Sequence, residues 1–178
     1  YQPVRGPELL KADAWKISGH YDNYGENMYF TEIEGAEYGI KPMNCVGHIK
    51  VFQNDVRSYR DLPLKFFEYG VVHRHEMSGT MHGLFRVREF TQDDAHVFCT
   101  PAQIKENVIE MLGFVDDIMK SFGFNYEIMI STKPEKAIGD DAFWEAATQG
   151  LKDALDENGI ADGIDEGGGA FYGPKIDV

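Results

Sequence analysis

An α+β fold is what the sequence predicts, an antiparallel β-sheet flanked by helices, and three observations carry that expectation. Two stretches rich in aromatic and β-branched residues, Leu64 to Glu76 and Leu84 to Phe98, are separated by about seven polar and glycine-rich residues, too few for a parallel crossover. Thr100-Pro101-Ala102-Gln103 has the form of a capping box with proline at the first helical position. After it, Ile104, Val108, Met111, Leu112, Val115, Ile118 and Phe122 draw one apolar stripe. A chain of 178 residues that is 43% hydrophobic suffices for one substantial core, so one domain over residues 1–178 is expected.

The elements follow in order. Tyr1 to Gly6 reads as a short strand closed by Gly6-Pro7, and Glu8 to Ser18 as a short helix that partly buries Leu9, Leu10, Trp15 and Ile17. Gly19 to Asn27 is a loop. Asn27 to Thr31 and Glu37 to Lys41 form a small hairpin around Glu34-Gly35, with Pro42 marking the next turn. Asn44 then caps a helix whose apolar side is Ile49, Phe52, Val56 and Tyr59, and which has ended by Asp61-Leu62-Pro63. Beyond the long pair and the capped helix, Tyr126 to Thr132 alternates as a strand. Asp140 or Asp141 starts a second amphipathic helix through Phe143, Ala147, Leu151 and Leu155, and Gly159 ends it. Asp153 to Asp165 is an acidic solvated face and loop, and Gly167-Gly168-Gly169 leads into a last strand, Ala170 to Val178. No internal repeat and no low-complexity linker interrupts this order.

Charge and composition narrow the function. A net charge of −13 argues against general binding to the phosphate backbone of nucleic acids, so any phosphate must be met by local arginines. Cys45 and Cys99 are too few for a disulfide scaffold, and neither a signal peptide nor a long apolar run is present. A reduced, cytoplasmic setting without a membrane role is expected. Tyr1 without a preceding Met, and Val178 inside a predicted strand, suggest a stretch of something longer.

Chemistry concentrates in one row. Arg86, Arg88, Phe90, Gln92, Asp94 and His96 recur at two-residue spacing and share one face of an extended chain. Such a mixture is costly to desolvate unless something binds there. Arg74 and Glu76 have the same spacing on the partner stretch. Converging guanidinium forks suit a polyphosphate, and Phe90 offers a ring for a nucleobase. Cross-strand pairing of Arg86 or Arg88 with Glu76 is the structural alternative, worth at most about 1 kcal/mol when exposed. By spacing alone, Cys45-Val46-Gly47-His48 is a weak zinc pair and Cys45 a small buried hydrophobe. A histidine beside a glycine, as at His20, is ordinarily a loop residue.

His73-Arg74-His75-Glu76, Gly79 to Gly83, and Arg86 through His96 together resemble motif 2 of class II aminoacyl-tRNA synthetases, specifically of the threonyl-tRNA synthetase family. Gly19 to Tyr24, Lys41 to His48, Ser58 to Pro63 and Phe171 to Lys175 are similar to the same family, in its order, so the resemblance covers essentially the whole chain. It implies a class II catalytic fold truncated at both ends: the strand end of motif 1, motif 2, and no motif 3.

The activity implied is that of a threonine–tRNA ligase, which activates threonine with ATP and transfers it to tRNA(Thr). By resemblance, Arg74 holds the ATP α-phosphate, Glu76 reads the adenine amino group, Arg86 reaches the γ-phosphate and Phe90 stacks on adenine, with Gln92 also at the ATP site. Met43, Gln92, Asp94, Tyr172 and Lys175 line the threonine pocket, and Asp94 accepts from the substrate hydroxyl. Cys45 and His96 match two of three zinc ligands, the third being expected outside this chain, and zinc would select threonine over valine through its hydroxyl. His48 is then a helix or loop contact, and Arg88 an orienter of neighbouring carboxylates. The counterpart of His20 assists transfer to the tRNA ribose. Mg²⁺ accompanies ATP, and the parent protein is a homodimer.

Val46 stands where the family usually has proline, and Gly167 to Gly169 lengthen a glycine stretch; neither change removes a chemical group. The dimer helix of motif 1, the editing region and the anticodon-binding domain are all outside the sequence, so the stretch alone is expected to be weak or inactive. A prolyl- or seryl-type synthetase and a synthetase-like binding module without ligation are the rival readings.

Overall fold

The computed structural model describes residues 1–160 and 163–178. Two compact units are present, Tyr1–Phe98 and Cys99–Val178. The α+β class holds in both.

The first unit runs through β1 (Gln2–Pro3), β2 (Leu9–Lys11), α1 (Ala12–Ile17), α2 (His20–Tyr24), β3 (Phe30–Ile33), β4 (Ala36–Ile40), α3 (Cys45–Gln53), β5 (Leu64–His73) and β6 (Glu89–Phe98). The long hairpin is antiparallel, as its short connection requires, with Phe66 opposite His96, Glu68 opposite Asp94, Gly70 opposite Gln92 and Val72 opposite Phe90. β1 adds to it in parallel, a pairing no local turn signal announces. A second small sheet has the order β2-β4-β3, all antiparallel.

Three sequence expectations change here. Glu8 to Ser18 is not one helix, because Leu9–Lys11 pairs with Ile40, Gly39 and Tyr38 as a strand before α1 begins. Ile17 is almost fully exposed, while Trp15 is buried with Met28 and Val46. The supposed loop from Gly19 contains α2, entered through a left-handed Gly19 with φ of 78°. The helix after Asn44 stops at Gln53: Val56 is exposed, and Tyr59 belongs to a separate 3₁₀ turn, Tyr59–Asp61. That turn is held locally, with Asp61 accepting from the Ser58 amide at 2.7 Å and the Ser58 hydroxyl accepting from the Arg60 amide at 3.3 Å. Such side-chain bonds compete with continued helix.

The second unit contains a 3₁₀ turn at Pro101–Gln103, α4 (Ile104–Phe122), β7 (Met129–Ser131), α5 (Asp141–Glu157), β8 (Gly163–Asp165) and β9 (Lys175–Asp177). The Thr100 amide donates to Gln103 Oε1 at 2.9 Å, the reciprocal half of the expected capping box. Asp140 caps α5 by accepting from the Phe143 amide at 2.7 Å, and Gly159 terminates it at φ of 64°. The sheet order is β8-β7-β9, with a parallel and an antiparallel pair. Its core is Leu112, Ile128, Ile130 and Leu155. The stripe on α4 is only partly buried. Leu112 and Val108 pack inward beside a buried Asn107, whereas Ile104, Met111, Ile118 and Phe122 are exposed. Likewise Phe143 is exposed and Trp144 takes the inward position. The acidic residues of α5 and Asp165 are exposed as expected, and the remainder of that stretch, residues 161 and 162, lies outside the described residues.

Candidate functional site

The β5–β6 hairpin has one exposed and one sheltered face. Glu89, Thr91, Asp93 and Ala95 face solvent, while Phe90, Gln92, Asp94 and His96 are half-buried beside buried Phe66, Glu68, Gly70 and Val72. Period-two placement thus brings the second half of the predicted row together. Its first half is not on the strand: β6 begins at Glu89, so Arg86 and Arg88 precede it, and Arg74 and Glu76 follow the end of β5. The pairing nevertheless continues one step, because the Arg74 amide donates to the Arg88 carbonyl at 2.9 Å. Beyond that point a His82–Arg86 bridge narrows the connection, leaving Leu84 and Phe85 exposed at its tip.

Where the hairpin loses regular pairing, Arg74, Glu76, Leu84, Phe85, Arg86, Val87 and Phe90 line a cleft of about 460 Å³. The Arg74 guanidinium lies 5.1 Å from the Phe90 ring centroid, and its Nε donates to the Pro42 carbonyl at 3.2 Å. Arg86 Nε is 3.2 Å from Glu76 Oε2. Arg88 Nε donates to the Glu76 carbonyl at 3.0 Å, which makes Arg88 a brace for the backbone that carries Glu76. The cross-strand ion pair therefore forms, between Arg86 and Glu76, and both residues line the cleft together with Phe90.

The deeper half of the face is a chain of polar groups. Lys41 Nζ donates to Glu68 Oε1 at 3.0 Å, both residues being almost fully buried, and Glu68 Oε2 accepts from the Gly6 amide at 2.8 Å. His48, on the inner side of α3, has Nε2 3.6 Å from Glu68 Oε1 and Nδ1 2.9 Å from Nδ1 of His96. Asn44 donates through Nδ2 to Asp94 Oδ2 at 3.0 Å. Asn44 thus precedes α3 as expected but uses its side chain across the sheet rather than as a helix cap. Burial holds the His48 and His96 imidazoles below their ordinary pKa, an effect only partly opposed by the nearby carboxylates.

Sequence reasoning missed Glu68 and Lys41 as parts of this site. The signal for Glu68 was available: in Leu64-Lys65-Phe66-Phe67-Glu68-Tyr69-Gly70-Val71-Val72, the carboxylate occupies the inward register of Phe66, Gly70 and Val72. A charge at an inward position demands a partner.

Cys45 opens α3, half-buried, and its thiol is pushed up to about 11 by burial and by the Asp94 carboxylate. Among the described residues, no group of three His, Cys, Asp or Glu side chains is placed to hold a metal ion. Cys45 and His96 alone do not fit zinc, which takes at least three protein donors. Met43 is half-buried in the segment between β4 and α3. His20 is buried rather than a loose loop residue: its Nδ1 meets the Ser18 hydroxyl at 2.8 Å and its ring meets Trp15 edge-on at 5.6 Å. Burial lowers its pKa. Tyr172 and Lys175 belong to the second unit, where Tyr172 packs edge-on against Phe171 and Lys175 pairs with Asp177. No helix among the described residues is long and apolar enough to cross a membrane.

Comparison with known proteins places this geometry. The family model of the tRNA synthetase class II core domain (G, H, P, S and T) matches residues 29–178. The chain is 80% identical over its whole length to the threonine–tRNA ligase of Campylobacter hominis, of which it covers 29%, and 79% identical to that of Campylobacter jejuni, of which it covers 30%. It also superposes on the crystal structure of the RNA-binding domain of threonyl-tRNA synthetase from Cryptosporidium parvum, with a TM-score of 0.96 and 46% identity. That match covers 99% of this chain and 44% of the other. The chain therefore spans under a third of the length of these curated relatives.

Proposed function

Because the chain belongs to the tRNA synthetase class II core domain family, we propose that it is the motif 2 portion of a cytoplasmic threonine–tRNA ligase. The whole protein would activate threonine with ATP to threonyl-adenylate and pass it to tRNA(Thr). The observation that carries this reading is 80% identity to such a ligase over all 178 residues.

The cleft supports the ATP half. Arg74 and Arg86 bring two guanidinium groups to its wall, and Glu76 and Phe90 bring a carboxylate and a ring. In-line attack of the threonine carboxylate on the α-phosphate builds negative charge on phosphate oxygens. Fixed arginines would stabilise that charge without reorganising, and the Mg²⁺ that accompanies ATP would supply further positive charge. Arg74 is already fixed through its bond to the Pro42 carbonyl.

Asp94 supports the threonine half. Asn44 engages Oδ2 and leaves Oδ1 to accept a hydroxyl. A site with a paired acceptor for that hydroxyl rejects valine more strongly than apolar shape alone. Met43 and Gln92 complete this side, and His20 assists transfer to the ribose. Cys45 and His96 would hold a zinc ion only together with at least one further donor from outside the described residues.

The test is threonine-dependent exchange of pyrophosphate into ATP by the whole protein that contains this chain. Exchange is expected with threonine and not with proline or valine, and to be weak in the 178-residue chain alone. Exchange driven by another amino acid, or none by the whole protein, overturns the assignment.

A further inference from the structure

Arg74 is held by more than the Pro42 carbonyl. Its guanidinium carbon lies 5.1 Å from the centroid of the Phe90 ring and 6.0 Å from that of the Tyr24 ring, both within reach of a cation–π contact. Tyr24 is the last residue of α2, and its half-buried ring packs on the core cluster of Trp15, Met28 and Val46. That core therefore sets a second ring against a cation of the cleft wall. Burial holds the Tyr24 phenol above its ordinary pKa, so it is neutral, and the charges that reach it are Arg74, Glu76 and Arg86, all three from the cleft.

The kind of contact matters. The Glu76 carboxylate, 3.2 Å from Arg86 Nε, partly cancels that cation. Rings and a carbonyl instead restrain the Arg74 guanidinium without cancelling its charge. A long side chain fixed in this way need not reorganise when negative charge builds on a phosphate.

We propose that Tyr24 is a positioning residue: its ring, set by the Trp15 core, joins Phe90 and the Pro42 carbonyl in holding the Arg74 guanidinium ready for the α-phosphate of a bound nucleoside triphosphate. The kinetic consequence rests on the ligase function proposed above; the contact itself does not, and it is measured without substrate.

Two measurements on the whole protein that contains this chain test the proposal. In spectra of ¹⁵N-labelled arginine without substrate, with Arg74 assigned by its loss in Arg74→Lys, the Arg74 Nε–H signal is expected upfield through ring currents. Tyr24→Leu should move it back, whereas Tyr24→Phe should leave it in place. Tyr21→Leu should also leave it, because it removes a ring from the same core but not from Arg74. In threonine-dependent pyrophosphate exchange, Tyr24→Leu should lower kcat about tenfold and raise the KM for ATP by no more than about threefold, because the charge that Arg74 meets grows in the transition state. Tyr24→Phe should keep kcat within about twofold. An Arg74 signal that Tyr24→Leu leaves unmoved, a wild-type kcat in that variant, or a Tyr24→Phe protein as slow as Tyr24→Leu overturns the proposal. A wild-type protein without threonine-dependent exchange counts against the ligase function, and the spectra then decide the contact by themselves. Should Tyr24→Leu fail to fold, through-space contacts between the Arg74 side chain and the Tyr24 ring in the wild type decide, and their absence overturns the proposal.

Discussion

The Arg74 guanidinium covers one face of the Phe90 ring at 5.1 Å, and the same side chain is anchored to the Pro42 carbonyl. One face of Phe90 is thereby committed to a cation, and both Arg74 and Phe90 line the cleft. Phe90→Ala should weaken ATP binding about tenfold or more, the range of a lost stacking contact, while Phe90→Tyr keeps affinity within about twofold. Titration of ATP by calorimetry on the whole protein reads both; equal affinities for wild type and Phe90→Ala would remove the base from this ring.

Lys41 and Glu68 form a buried pair whose side chains are only 4% and 3% exposed. Removing one partner strands the other's charge away from water. Lys41→Met is expected to cost about 3–5 kcal/mol, whereas Lys41→Met combined with Glu68→Leu should recover much of that loss, because paired apolar replacements avoid an orphaned charge. Urea unfolding of wild type, the two single variants Lys41→Met and Glu68→Leu, and the double variant gives the comparison. If the double variant is the sum of two independent losses, the pair is not the unit described.

Close approach explains a glycine inside the long strand. A Cβ on Gly70 would sit 2.2 Å from Asn44 Oδ1, in the amide that holds Asp94. Gly70→Ala should therefore destabilise by about 1–3 kcal/mol through overpacking, and should also displace Asn44 from Asp94. A lowered Tm with a raised threonine KM is the expected pairing. A lowered Tm with an unchanged KM would mean that Asn44 does not position Asp94.

The fold was legible where a signal is local and strong. The Thr100 box, the Asp140 cap, Gly159 and the short hairpin connection all act within a few residues, and each has its expected counterpart. Expectations failed where a distant partner decides. Leu9–Lys11 becomes a strand only because β4 lies beside it, and β1 joins β5 across some sixty residues of sequence. The row of alternating residues located the site but overstated its regularity. Phe90, Gln92, Asp94 and His96 do share a strand face, whereas Arg86 reaches the cleft from irregular backbone and Arg88, also off the strand, braces the Glu76 carbonyl. Glu68 was visible as a charge in inward register, yet its partners Lys41 and His48 come from two other segments that no spacing rule connects to it.

His20 offers a pH test of burial. Its ring is buried against Trp15 and its pKa lies below the ordinary value, mainly through desolvation. The unfolded chain takes up a proton at this residue near pH 6.5 or about there, while the folded chain resists it. More protons bind the unfolded state as pH falls, so the stability present above about pH 6.5 is lost progressively below it. His20→Gln should make that loss shallower below about pH 6.5; His48 and His96, whose pKa values are lowered in the same direction, retain part of it. Urea unfolding at closely spaced pH values reads the slope, and an identical slope in both chains would mean that His20 is as readily protonated folded as unfolded.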